Sequence, residues 1–208
     1  IAQAKVPLPD RTQTYNLLFR LGISEVFNSD FLGSVNIEEP ISQQRAVWGQ
    51  FSKKASQTNR ELAFDWRYTL AECDLPKVVG TTALAGINVG FPMLDKDLVD
   101  FSIRLPTSYK LKGLSLRWFF KEALRGFLPD EIITKKKQGF GLPFGVWAAQ
   151  NSSLKALAED SVRGLVERKI LRVDFVDALF SRYLYEHPGY YGEMIWISMM
   201  LEQWLRRE

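Results

Sequence analysis

Apolar residues recur along most of this chain at the three- and four-residue spacing of amphipathic helices. Leu98, Phe101 and Leu105, for example, form one stripe, with Asp95 before it as a helix cap and Pro106 after it as a stop. The other predicted helices lie at 10–22, 41–55, 61–72, 116–127, 152–168, 174–186 and 192–206, with one more from about 76. The pattern therefore predicts an all-α chain.

Local signals set several of the predicted helix ends. Asp10 and Gln13 form a capping box for the first helix, and Gly22 ends it. Asp74 can cap a separate helix whose first position is near Pro76. These signals divide the first half of the chain into several helices.

Strands, repeats and linkers are hard to find. Only short pieces such as 87–89 have an extended character, and no low-complexity segment divides the sequence. The 208 residues are 46% hydrophobic and 25% charged, which is the composition of an ordinary globular protein. We expect one helical domain over residues 1–208.

Charge and cysteine content exclude several function classes. A net charge of +3 is too small for a typical nucleic-acid-binding domain, so a small, locally bound anion is the more plausible charged partner. Cys73 is the one cysteine, and we expect it to be buried; His187 is the one histidine, so we predict no metal site of the His/Cys kind. The longest apolar stretch, 194–201, is too short to span a membrane, and we expect a cytoplasmic protein without a secretory signal.

Two groups of cations are candidates for anion binding. Lys135, Lys136 and Lys137 stand directly before the glycine-containing turn 138–142, where flexible ammonium groups and exposed backbone suit phosphate. In the predicted helix 116–127, Arg117, Lys121 and Arg125 follow one another at four-residue spacing. Cations at this spacing repel one another on a helix, and an anion or a carboxylate from elsewhere in the fold must offset the repulsion. Solvated surface charge is the alternative for both groups.

The cations belong to an ordered set of motifs. In chain order these are Phe91-Pro92-Met93-Leu94-Asp95, the helix with Arg117 and Lys121, Leu128-Pro129-Asp130-Glu131-Ile132, and Lys137-x-Gly139-Phe140 followed by Pro143. As a set they resemble the C-terminal synthetase domain of glutamine-dependent asparagine synthetase. They are most similar to the asparagine-synthase-like amidotransferases of bacterial exopolysaccharide gene clusters.

The resemblance implies a fold and an activity. The fold would be the helical C-terminal portion of an adenine-nucleotide α-hydrolase-like (ATP pyrophosphatase) α/β synthetase domain. The Ser-Gly-Gly-x-Asp-Ser pyrophosphate loop and the glutaminase domain with its nucleophilic cysteine do not occur in these 208 residues. The intact enzyme would adenylate a carboxylate with ATP and Mg²⁺ and then transfer glutamine-derived ammonia to it. We expect the chain alone to be inactive.

The resemblance also implies roles for particular residues. Lys137 aligns with the family lysine that contacts pyrophosphate as the adenylated intermediate forms. Arg117, Lys121 and Lys135 align with, or stand beside, the family's other cations near the phosphates. Lys137 is therefore the candidate catalytic residue, and the other three are candidates for nucleotide and pyrophosphate binding.

The chain departs from the family pattern before Asp95. Asn88 stands where the family has glutamate and Gly90 where it has arginine, and Val79-Gly80 replaces an Asp-Arg pair. Asparagine cannot accept a proton at neutral pH. Either the acceptor substrate or the catalytic base therefore differs from that of the family, or the site no longer performs the family reaction. Asn88 and Gly90 are thus candidates for a substrate pocket that admits a bulkier acceptor such as a sugar carboxylate. The alternative is a catalytically degenerate helical module in a polysaccharide-assembly system.

Overall fold

A computed structural model describes residues 3–136 and 141–207, and these are mostly helical. The α-helices are α1 (Leu17–Leu21), α2 (Ile23–Val26), α3 (Ser29–Ser34), α4 (Glu39–Gln50), α5 (Gln57–Asp65), α6 (Leu75–Leu84), α7 (Lys96–Arg104), α8 (Thr107–Lys110), α9 (Trp118–Ala123), α10 (Asp130–Thr134), α11 (Phe144–Gln150), α12 (Ser152–Glu167), α13 (Val173–Ala178), α14 (Leu184–Glu186) and α15 (Pro188–Leu205). Short 3₁₀ helices lie at Gln3–Lys5, Asp10–Tyr15 and Pro92–Leu94, and π-helical segments at Trp66–Asp74 and Leu179–Tyr183. None of the helices in the described ranges is long and apolar enough to cross a membrane.

The one sheet of the described residues is a two-stranded antiparallel hairpin. Strand β1 (Leu111–Lys112) pairs with β2 (Ser115–Leu116), and Lys112 faces Ser115. Gly113 turns the chain with a φ of 58°, a conformation that glycine adopts without strain. The all-α prediction is therefore confirmed for most of the fold, but it missed this hairpin. The predicted extended piece at 87–89 forms no strand.

The chain forms two compact units, Ile1–Arg45 with Gly139–Glu208, and Ala46–Gln138. The first unit contains a well-packed core, which α11, α12 and α15 form together with the π-helical segment Leu179–Tyr183. Its N-terminal part joins this core through a bridge between Phe27 and Leu171 and through the backbone N–H of Arg172, which donates to the carbonyl of Val26 at 3.0 Å. Val26 is fully buried as a result.

Two glycines set the closest approach in that core. Gly145 on α11 and Gly192 on α15 are both buried, and a Cβ atom at Gly145 would lie 1.9 Å from the carbonyl oxygen of Pro188. A Cβ atom at Gly192 would lie 2.3 Å from the Cα of Gly145. The two helices can therefore cross with their backbones in contact only because neither residue has a side chain.

The second unit packs much less densely. Of its apolar residues, Phe64 and Ile133 are buried, whereas Leu114 is fully exposed and Leu84 is 91% exposed. Trp48 packs edge-on against Phe64 with ring centroids 5.7 Å apart. Among the described residues, the functional candidates of the sequence lie on this unit, which leaves much apolar surface open to solvent.

One predicted helix boundary is absent because the backbone forms a π-helical turn at that point. The break predicted at Asp74 is wrong, because α5, the π-helical segment and α6 form one continuous helix. The Leu75 N–H donates to the carbonyl of Leu70, five residues back, and this wider turn makes room for the ring of Pro76. Asp74 makes no side-chain cap there.

Three other local expectations are also wrong. The capping box of Asp10 does not form, because Asp10 accepts two hydrogen bonds from Arg45 instead, and Asn16 caps α1. Cys73 is exposed and not buried. The helix predicted over 116–127 is limited to α9, since β2 includes Leu116.

The cap at Asp95 is confirmed. Its carboxylate accepts from the backbone N–H of Asp97 at 3.0 Å and of Leu98 at 3.4 Å. We expect Asp95→Ala to lower the free energy of unfolding by about 1 kcal/mol, whereas Asp95→Asn should keep the cap. Urea unfolding measures this difference, and Asp95→Asn, which keeps an accepting side-chain oxygen, is the matched control. Equal losses for the Asn and Ala variants would contradict the capping role.

Candidate functional site

A cavity of about 450 Å³ in the unit Ala46–Gln138 brings together cations that are separated in sequence. Four of its lining residues are cationic: Arg117, Lys121, Lys135 and Lys136. None of the four makes an ion pair with a residue that the structure describes. An anion that enters this cavity would meet four positive charges without first displacing an internal carboxylate.

The hairpin and α9 position the first two cations. Arg117 lies between β2 and α9 and has left-handed backbone angles, with φ 57° and ψ 30°. Lys121 follows one turn later, and its N–H donates to the carbonyl of Arg117 at 3.0 Å. The prediction that both lie on one helix is wrong, because Arg117 precedes it, yet both side chains line the same cavity.

The left-handed conformation of Arg117 is uncommon for a residue with a Cβ atom. Such conformations cost about 1–3 kcal/mol when the surroundings hold them in place, and they are concentrated at functional sites. The hairpin turn at Gly113 and the start of α9 fix the chain on both sides of Arg117. The sequence contained no signal for this feature.

Helix α10 supplies the other two cations. Asp130 and Glu131 lie in its first turn, where negative charge is favourable, and Lys135 and Lys136 follow directly after its last residue. Lys137 is the next residue along the chain, but it lies outside the described residues. Lys135 lines the same cavity as Arg117 and Lys121.

The rest of the cavity is apolar. Leu116, Phe120, Leu124, Leu128, Ile132 and Ile133 complete its lining. Ile133 is buried, whereas Phe120 is about half exposed. Apolar walls of low polarisability beside charged groups strengthen the attraction between those groups and a bound anion. The cavity therefore suits a ligand that carries both phosphate charge and an apolar or aromatic part.

Arg125 is not part of this site. Its guanidinium donates two hydrogen bonds to the carboxylate of Glu122, at 2.8 and 2.9 Å. These bonds raise the pKa of Arg125 and lower the pKa of Glu122. Glu122 therefore supplies, for Arg125, the negative charge that the predicted repulsion among Arg117, Lys121 and Arg125 requires. The three-residue spacing of this pair was a readable signal that the prediction missed.

Asn88 and Gly90 do not line the cavity. Both are exposed in the irregular segment between α6 and the 3₁₀ helix Pro92–Leu94. A Cβ atom at Gly90 or Gly80 would meet no atom within 4 Å, so packing in this unit does not require glycine at either position. The cavity therefore includes the cation cluster but not the substrate-pocket candidates.

The described residues do not provide a magnesium site of their own. Among residues 3–136 and 141–207, no three His, Cys, Asp or Glu side chains are grouped so that they could hold a metal ion. The cavity is lined by cations and not by the carboxylates that Mg²⁺ prefers. The charges of this cavity suit the phosphate oxygens of a ligand.

Comparison with known proteins gives the family. The family model described as asparagine synthase matches residues 3–206. The chain belongs to the asparagine synthase family. This is a family of ATP-dependent ligases that take ammonia from glutamine, and its members generally use ATP and Mg²⁺.

A curated relative within this family supports a distant relationship. The chain is similar to "Asparagine synthetase [glutamine-hydrolyzing] 1" of Bacillus subtilis (strain 168), with 26% identity over 86 residues. This match covers 41% of the chain and 13% of the relative, so it spans a small part of the relative's length. No solved structure matches the chain significantly.

Proposed function

We propose that this chain is the helical part of an asparagine-synthase-type amidotransferase and that its cationic cavity binds the phosphates of the activated nucleotide. The convergence of Arg117, Lys121, Lys135 and Lys136 on one cavity is the observation that supports this most directly. The intact protein would adenylate a carboxylate with ATP, release pyrophosphate and pass glutamine-derived ammonia to the acyl adenylate. Its location would be cytoplasmic, where ATP and glutamine are available.

The cations would act on the departing pyrophosphate. As the carboxylate attacks the α-phosphate, negative charge grows on the oxygen that bridges the α- and β-phosphates. Fixed ammonium and guanidinium groups stabilise that charge more than they stabilise intact ATP, and this difference lowers the barrier. The apolar side chains beside the cations make each contact with the phosphates stronger than it would be in water alone. Mg²⁺ would accompany the phosphates, since the described residues offer it no carboxylate cluster.

The contribution of Lys121 is testable in the full-length protein. We expect Lys121→Met to lower kcat/KM for ATP-dependent pyrophosphate release by about 10- to 100-fold, because an electrostatic contact to the developing charge is lost. Arg117→Asn should have a similar effect, and asparagine tolerates the left-handed backbone at this position. The measurement is a coupled assay of pyrophosphate release.

A matched control separates local contacts from overall charge. Lys54→Met removes one exposed cation from the same unit, outside the cavity, and should change the rate by less than about twofold. If Lys54→Met and Lys121→Met lowered the rate equally, a site-specific role of the cavity would be excluded.

Lys137 is expected to have the larger kinetic effect. Because it follows Lys136 directly and aligns with the family lysine that contacts pyrophosphate, we expect Lys137→Ala to reduce kcat by about 100-fold or more. Lys137→Arg, which keeps the charge, should recover part of the rate. Single-turnover measurement of pyrophosphate release reports this step directly. A Lys137→Ala protein with the parental rate would remove the assignment.

The acceptor is proposed to be a carboxylate larger than aspartate, such as a sugar acid. This rests on Asn88 and Gly90, which stand where the family has charged residues. Acceptor-dependent pyrophosphate release with aspartate and with uronic acids tests it. A preference for aspartate would contradict the proposal.

A catalytically degenerate interaction module is the second candidate. The missing charges at Val79, Gly80, Asn88 and Gly90 favour it. Such a protein would bind ATP weakly and release no pyrophosphate with any acceptor carboxylate. Measurable, Lys121-dependent turnover excludes this candidate.

A further inference from the structure

Lys112 is a cation of the hairpin that does not line the cationic cavity. Its ammonium nitrogen lies over the face of the Trp118 ring, 4.0 Å from the ring centroid. The negative face of an aromatic ring attracts a cation, and tryptophan does so more strongly than tyrosine or phenylalanine. The hydrogen bonds from Arg125, and to a smaller extent the charge of Lys112, lower the pKa of Glu122 on α9. Lys112 is therefore directed towards α9.

The contact between Lys112 and Trp118 connects the two elements that flank Arg117. Lys112 is the last residue of β1, and Trp118 is the first residue of α9. Lys112 also pairs with Ser115 of β2 across the hairpin. The side-chain contact thus closes a loop of chain over residues 112–118, and Arg117 lies within this loop.

The backbone of Arg117 needs support from its neighbours. Its left-handed angles are unfavourable for a residue with a Cβ atom unless the surrounding structure holds them. No side-chain cap forms at the start of α9, and the guanidinium of Arg117 makes no ion pair within the described part of the chain. Contacts made by the adjoining hairpin and helix must therefore hold this conformation.

Helix α9 has an anchored side and a cavity side. The Tyr109 ring of α8 lies 6.1 Å from the Trp118 ring and 5.5 Å from the Phe119 ring, and both residues of α9 are half-buried. Neither of them lines the cavity, whereas Phe120 and Lys121 do. The side of α9 that Lys112 contacts is thus distinct from the side that would meet a ligand.

We propose that the contact between Lys112 and Trp118 positions Arg117 for anion binding. It holds the left-handed backbone in place and thereby keeps the guanidinium in the cavity. Lys112 and Trp118 are positioning residues, because neither lines the cavity and both act through Arg117. The inference rests on the proposed function, since it explains how one of the cations of the cavity is held ready for the phosphates.

Pyrophosphate release by the full-length protein tests the role of Lys112. We expect Lys112→Met, which removes the charge and keeps a long side chain, to lower kcat/KM by about three- to fivefold. Lys112→Arg should recover most of the rate, because a guanidinium also binds the face of an indole ring. Lys54→Met, which removes another exposed cation of this unit, is the matched control and should stay within about twofold of the parent. A Lys112→Met protein within the same limit would overturn the proposal.

A double-mutant cycle distinguishes positioning from a general structural role. In an Arg117→Asn background the guanidinium is gone, so Lys112→Met should lower kcat/KM by less than about 1.5-fold. Trp118→Leu should show the same dependence on Arg117, and Trp118→Phe, which keeps an aromatic face, should retain more activity. A loss of stability, or a direct effect of the Lys112 charge on the phosphates, would lower the rate equally in both backgrounds. Equal losses would therefore overturn the proposal.

Amide hydrogen exchange at Lys121 gives a readout that does not depend on activity. The N–H of Lys121 donates to the carbonyl of Arg117 at 3.0 Å, so its protection reports whether Arg117 keeps its place before α9. We expect Lys112→Met to speed this exchange at least about threefold and to leave exchange in α12 unchanged. Unchanged exchange at Lys121 would refute the positioning of Arg117. Faster exchange, combined with parental pyrophosphate release by Arg117→Asn, would support the positioning and remove Arg117 from the proposed function.

Discussion

Replacing Gly145 on α11 by alanine should strongly destabilise this protein. We expect the free energy of unfolding to fall by about 3 kcal/mol or more. The added Cβ would lie 1.9 Å from the carbonyl oxygen of Pro188, and its neighbours there are backbone atoms, including those of Gly192. A backbone cannot rotate away as a side chain can, so the helices α11 and α15 must separate and lose core contacts.

Gly192→Ala provides the reciprocal measurement, and Gly49→Ala the control. A Cβ at Gly192 would lie 2.3 Å from the Cα of Gly145, whereas one at Gly49, on α4, would meet nothing within 4 Å. We expect the Gly192 variant to lose a similar amount and the Gly49 variant to gain up to about 1 kcal/mol from its better helix propensity. Urea unfolding of the three variants checks this. Equal stabilities at positions 145 and 49 would show that the helices do not cross at this point.

The second large effect is expected at Glu202. This carboxylate is 3% exposed, and it accepts from Arg168 at 2.8 Å and from Arg206 at 3.0 Å. The hydrogen bond to Glu202, with a further bond to Asp160, raises the pKa of Arg206. Glu202→Ala leaves a cavity and two arginines without their buried partner, and we expect a loss of about 3 kcal/mol.

A double variant measures the fit around this carboxylate. A Cβ at Gly164 on α12 would lie 2.6 Å from an Oε of Glu202, so Gly164→Ala should be strongly destabilising while Glu202 is present. In the Glu202→Ala background the same change should cost much less, and the coupling is expected to exceed about 1 kcal/mol. Glu167→Ala, which removes an exposed carboxylate from the same helix, should stay within about 0.5 kcal/mol of the parent. Additive effects of the two changes would contradict direct contact.

The core contacts behind these predictions could not be read from the sequence. Helical periodicity located α12 almost to the residue, and Asp95 and Gly22 were recognised as helix ends. The approach of Gly145 to Gly192 depends instead on how two helices separated by many residues cross. The burial of Glu202 also has no local signal: Arg206 stands four residues away, but the second partner, Arg168, is 34 residues away.

The candidate site was partly predictable. The motif order predicted that Arg117, Lys121 and Lys135 form one anion-binding group, and the three residues line one cavity. The sequence pattern predicted that one helix holds Arg117 and Lys121 together. In the structure, Arg117 lies before α9, and the hairpin and the left-handed backbone of Arg117 position it. Arg125 was grouped with them by spacing, but Glu122 engages it instead.

The helical character of this protein, several helix ends and the family motifs could be predicted from the amino-acid sequence, because each of these is encoded by residues close together along the chain. Which cations share a cavity and which glycines allow helices to touch became known from the fold. Those properties depend on distances between residues far apart in sequence, and such distances are fixed by the packing of whole helices.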